Sequence, residues 1–134
     1  MNSQRLLAWV IRLVGAVEIL AFGAVVMPQD WMADAHRRLG LGELPHTPVV
    51  ESLLRQVSFT YGLHGVAMWF IAADVTRYRP LIVLAGFGYL LTGPVFVLID
   101  VLAGLPPYWS AGNGGSCFVV GVLLLVLLRR QAAG

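Results

Sequence analysis

The chain has 134 residues, 58% of them hydrophobic and 12% charged, with a mean hydropathy of +0.79. Soluble domains carry roughly 25% charged residues, so this composition excludes a disordered chain, a nucleic-acid-binding module and most soluble enzymes. Nine Arg and no Lys stand against seven carboxylates, a net charge of +2, and the arginines are scattered in ones and twos instead of forming a basic stripe.

A helix needs about 20 mostly apolar residues to cross the hydrocarbon of a bilayer. Four runs approach or exceed that length, at about 6–27, 49–74, 80–104 and 112–128. The fold expected is all-α, a four-transmembrane-helix antiparallel bundle forming one integral membrane domain over 1–134. The first run has a charged start at Arg5 and a small-residue stretch at Ala21-Phe22-Gly23, as a signal peptide would. Arg12 and Glu18 interrupt it, which a signal h-region tolerates poorly, so it reads as a retained span.

The first run stops at Pro28, and the connection to Pro48 is patterned. Asp30 is placed to N-cap a short helix. Trp31, Met32, Ala35 and Leu39 share one face, Gly40 and Gly42 end the helix, and Pro45 and Pro48 hold the return extended. This predicts an interfacial helix, acting either as a cap on the bundle or as a lid over a cavity between spans. In the second run Glu51, Arg55, Ser58, Gly62, Gly65 and Trp69 recur at spacings of four and three, a stripe of polar and small residues that should face another helix. Pro80 opens the third run as a favoured first helical residue. Gly93-Pro94 removes the donor for the Leu90 carbonyl, which predicts a kink. After Pro106-Pro107, residues 112–115 (Gly-Asn-Gly-Gly) read as a flexible outer turn. Cys117 reads as a small buried side chain, and Arg129-Arg130 ends the fourth run. Trp9, Trp31, Tyr78, Tyr108 and Trp109 fall near the expected interfaces, as an aromatic belt requires.

Arg5, the Arg77/Arg79 turn and Arg129-Arg130 share one side in this layout. The excess of Arg places that side, with both termini, in the cytoplasm. Arg37 and Arg38 dissent, but Asp30, Asp34 and Glu43 surround them.

Ionisable residues inside spans are costly and mark interior sites. The helix rise of about 1.5 Å per residue sorts them into three layers. The outer layer has Glu51, Arg55 and Asp100, with an Arg55–Asp100 pair expected; it reads as a register-fixing ion pair or as an anion site on Arg55. The inner layer has Arg12 and Asp74, where Arg12 either snorkels or pairs with Asp74. The middle layer has Glu18 and His64 near the centres of their spans, with Tyr61, Tyr89 and Thr92 at similar depth. A carboxylate in hydrocarbon must be protonated, paired or wetted. The set reads as a proton relay, as a seat for the polar end of a lipophilic ligand, or as a tie between two helices.

Other chemistries find no residues. There is no P-loop and no pair of spanning histidines for haem. No standard metal spacing occurs among His36, His46, Asp34 and Glu43, and no nucleophile is placed beside His64. No catalytic residue and no metal site is expected.

The early Arg of the first span (Leu7-Ala8-Trp9-Val10-Ile11-Arg12-Leu13-Val14-Gly15), the four short spans and the Trp-bearing outer loop together resemble the DoxX-like group of small bacterial membrane proteins. Arg38-Leu39-Gly40-Leu41-Gly42-Glu43-Leu44-Pro45 and Arg77-Tyr78-Arg79-Pro80-Leu81 are similar to signatures of an uncharacterised family of such proteins. The resemblance covers the general layout of the whole chain. It implies a bacterial inner (plasma) membrane location, and makes a quinone-linked redox role conceivable, since some DoxX-like members are associated with quinone-linked sulfur oxidation. This chain has no redox cysteine pair, so that activity is carried to none of its residues.

The function expected is that of a non-enzymatic accessory subunit, or of a binder of a lipid or quinone near Glu18 and His64. The alternatives are a proton-coupled transporter or channel component using Glu18, His64, Arg55 and Asp100, and a quinone-linked redox subunit. The partners expected are the lipid bilayer and a second membrane protein or a further copy of the chain, with no nucleic acid.

Overall fold

The structure, a computed structural model, describes residues 3–132. Among them every regular element is helical and there is no strand. In chain order these are α1 Ser3–Ile19, α2 Phe22–Val26, α3 Gln29–Arg38, α4 Pro48–Ala73, α5 Arg79–Leu102, α6 Pro107–Ser110, a π-helical turn Ala111–Gly115, and α7 Ser116–Ala132. Contacts divide the chain into two units. One is Val14–Trp69; the other takes the residues up to Leu13 together with those from Phe70 onward. Parts of α1 and α4 belong to each.

Local chemistry explains the helix ends. Thr47 Oγ1 accepts from the Val50 N–H at 3.3 Å, an N-cap just ahead of Pro48. At the C-terminus of α5, Gly104 takes φ 74°. Its N–H donates to Val101 O, and the Leu105 N–H donates to Asp100 O. This Schellman closure requires the left-handed conformation that glycine adopts without strain. Gly40 (φ 70°) closes α3 in the same way, through Arg37 O and His36 O.

Three stretches are long and apolar enough to cross a membrane: Ser3–Val26, Arg79–Leu102 and Pro107–Gln131. No more than 28% of the most apolar window of any of them is buried inside the protein. Their outward residues are large and apolar, Leu20, Leu84, Leu91 and Leu102 among them. Such a surface is costly in water and costs nothing in hydrocarbon. α4 has the length, 26 residues, but polar side chains recur along it and dilute its hydropathy.

Several expectations need correction. The last apolar stretch begins at Pro107, not near 112, and residues 111–115 are helical instead of a flexible turn. The connection before it is therefore only 103–106. The first run is not one uninterrupted helix. At Leu20-Ala21 the hydrogen bonds shorten to three-residue steps, Leu20 to Val17, Ala21 to Glu18, Gly23 to Leu20 and Ala24 to Ala21; such tight turns rotate α2 away from the course of a continuous α-helix. Pro28 takes the cap position of α3, so Asp30 lies in the first turn and acts on the helix dipole instead of capping. Ala33 is the buried residue of α3, while Trp31 and Leu39 are exposed. α5 runs as one helix past Pro94, which faces outward and has no N–H to offer the Leu90 carbonyl.

In the unit that holds α5 and α7, glycines let the two helices meet at backbone distance. A Cβ added to Gly93 would lie 2.9 Å from Gly114 O, one on Gly114 2.5 Å from Gly93 O, and one on Gly121 2.6 Å from Leu90 N. Small residues permit this approach where lipid supplies little drive for helix association. Leu7, Ile11, Ile82 and Leu124 are the fully buried side chains of this unit.

Candidate functional site

The unit Val14–Trp69 is built on an antiparallel contact between the end of α1, α2 and the middle of α4. Its innermost rung is glycine on glycine. A Cβ on Gly65 would sit 2.6 Å from Gly15 O and 2.8 Å from Ile19 N, and one on Gly15 would sit 2.7 Å from Gly65 O. A rung further out, Phe22 lies over Gly62, where a Cβ would meet its ring at 2.5 Å, and packs edge-on against Phe59 with centroids 5.7 Å apart. At the outer end the Arg55 guanidinium donates to Val25 O, one of the carbonyls at the end of α2 that lack a helical donor. It also donates to Glu51 Oε1 at 2.9 and 3.2 Å.

Between the glycine rung and the phenylalanine rung lies the polar pair. His64 Nδ1 is 2.7 Å from Glu18 Oε2. The Glu18 side chain is 12% exposed and that of His64 46% exposed. The pair sits where it does because Gly15 and Gly65 bring the backbones together one turn away, with Glu18 Cβ only 3.0 Å from the position a Gly65 Cβ would take. With Glu18 ionised, Nδ1 carries the proton and donates to the carboxylate. Nε2 then accepts a hydrogen bond when the ring is neutral and donates one when it is protonated.

Glu18 and His64 are thus brought together, and so are Glu51 and Arg55. Tyr61 lies on the exposed side of α4. Tyr89 and Thr92 lie on α5, in the other unit. Arg55 and Asp100, expected as a pair, belong to different units, and each has a partner within its own. The Arg55 bonds go to Glu51 and Val25, while Asp100, 5% exposed, accepts from Asn113 Nδ2 at 3.2 Å. Of the inner-layer residues, Asp74 accepts the Arg77 N–H through Oδ1 at 2.9 Å and closes the turn before α5, and Arg12 lines a cavity beside the end of α4. On α4 the buried stripe runs Gly62, Gly65, Met68, Ala72, so Met68 stands where Trp69 was expected.

Two polar residues were missed in the sequence. Asn113 is the partner of Asp100, and Ser110 is 95% buried with no hydrogen bond to its Oγ. Reading 112–115 as a loop hid both. The signal available was a buried carboxylate one turn from a helix end, facing an amide shortly after the next helix start.

No family model, curated protein or solved structure matches the chain. The DoxX-like resemblance therefore stands on its sequence segments alone.

Proposed function

We propose that the chain is a four-span integral membrane protein that binds a lipophilic quinone or quinol through the Glu18–His64 pair, as a binding or accessory component. Support for α4 as a fourth span comes from how its polar groups are satisfied. Thr60 Oγ1 donates to Gln56 O, Gln56 Nε2 donates to Ser52 Oγ, Arg55 is held by Glu51, and His64 by Glu18. Hydrocarbon requires this of every polar group it surrounds.

The observation that carries the ligand reading is the 2.7 Å contact between a nearly buried carboxylate and a half-exposed imidazole on an apolar helix surface. The carboxylate orients the ring through Nδ1. The far edge of the ring then suits a group that alternates between carbonyl and hydroxyl, since Nε2 both donates and accepts across its two protonation states. Ring stacking and the long apolar tail of such a ligand would find the exposed Val57 and Tyr61, which share the His64 face of α4 at spacings of seven and three.

The test is titration of the full chain in detergent with decylubiquinone, read by quenching of tryptophan fluorescence. Saturable quenching is expected, weakened about tenfold in His64→Leu, the value of one hydrogen bond near 1.4 kcal/mol. Equal quenching curves for parent and His64→Leu would remove the pair from ligand binding.

A further inference from the structure

We infer that the concavity on the outer face of the first turns of α1 binds a phosphate group, best met by the headgroup of an anionic phospholipid. Arg5, Trp9 and Arg12 are spaced by four and three residues and share one face of α1, while Leu7 and Ile11 on the opposite face are fully buried. Those three side chains and Gln4 line an open cavity of about 220 Å³ whose other wall is formed by Ala72 and Ala73 at the end of α4 and Val75 in the turn after it. Gln4 Nε2 donates to Thr76 Oγ1 at 3.4 Å, which ties the start of α1 to the turn just beyond that wall.

Charge favours an anion there. Of the nine arginines, six belong to this unit: Arg5, Arg12, Arg77, Arg79, Arg129 and Arg130. They gather at one end of it, since Arg79 donates to Leu128 O and Gln131 donates to Ser3 O. The unit has two carboxylates. Asp100 lies at the far end of α5, about 30 Å away by helix rise, and Asp74 is turned to the Arg77 N–H. Arg5 makes no ion pair among the described residues.

Geometry favours phosphate. Arg5 and Arg12 are about 10 Å apart along the axis, a separation that two long side chains close by converging on one group. Guanidinium forks match phosphate oxygens. Trp9, 61% exposed between them, is the residue type that sits at headgroup level. The lipid source rests on the chain being a membrane protein, but the site shares no residue with Glu18 or His64, so failure of either leaves the other standing.

Two arms test it on the full chain. In the first, native mass spectrometry from detergent compares retained phosphatidylglycerol with retained phosphatidylcholine. Preferential retention of phosphatidylglycerol is expected, reduced about tenfold in apparent affinity by Arg5→Gln or Arg12→Gln, largely kept by Arg5→Lys and Arg12→Lys, and unchanged by Arg37→Gln on α3. In the second, the thermal unfolding of delipidated protein is followed in inorganic phosphate. An Arg5- and Arg12-dependent shift without lipid preference assigns the site to a soluble phosphate instead. Equal lipid retention and equal phosphate response in the parent and the Arg5→Gln/Arg12→Gln double variant would overturn the proposal.

Discussion

Replacing Gly65 with alanine tests the contact on which the candidate site rests. The new Cβ would lie 2.6 Å from Gly15 O, 2.8 Å from Ile19 N and 3.0 Å from Glu18 Cβ. Two of these are backbone atoms held in α1 or at its end, so no side-chain rotation relieves them, and α1 and α4 must separate by about 0.8 Å to reach ordinary contact at about 3.4 Å. A shift of that size carries the 2.7 Å Glu18–His64 bond to about 3.5 Å, beyond useful hydrogen-bond range. Overpacking costs about 1–3 kcal/mol, and the lost bond about 1 kcal/mol. Alanine returns about 1 kcal/mol in helix propensity. The net expectation is destabilisation by about 1–3 kcal/mol. The control is Gly88→Ala on α5, where a Cβ meets nothing within 4 Å and propensity alone should stabilise by up to about 1 kcal/mol. Reversible unfolding in mixed detergent and sodium dodecyl sulfate, followed by far-UV circular dichroism, should separate the two variants by about 1–4 kcal/mol. If Gly65→Ala unfolds together with Gly88→Ala, the close approach of α1 and α4 is wrong, and the Glu18–His64 geometry falls with it.

Asn113→Leu should destabilise the protein by about 1–3 kcal/mol in the same unfolding assay, because it leaves the buried Asp100 carboxylate without its amide donor. The Asp100→Leu/Asn113→Leu double variant should recover most of that loss, and additive losses would show that the two side chains are not coupled. Gly104→Ala should cost about 1–2 kcal/mol by forcing a Cβ into the left-handed region at φ 74°; a neutral result in the unfolding assay would remove the Schellman closure of α5.

Much of the chain's layout was legible from residue type and spacing. The apolar runs, the proline at the start of α5 and the glycine that closes α3 act through local chemistry: length against bilayer thickness, a fixed φ, a missing Cβ. Depth along a helix was legible as well, because rise per residue is constant, and depth alone named His64 as the nearest partner for Glu18. The pairing of Asp100 with Asn113, the choice of Arg55 for Val25 O, the tightening after Glu18 and the helical course of residues 111–115 were not. Each depends on how far one helix is rotated and slid against another. One residue turns a side chain by about 100° and moves it about 1.5 Å, so the polar partner changes with a single step of register. In a soluble helix, alternation of apolar and polar faces would reveal that rotation. Here lipid-facing and core-facing residues are both apolar, so the rotation is set by where glycines let two backbones touch, and that is decided only when both helices are in place.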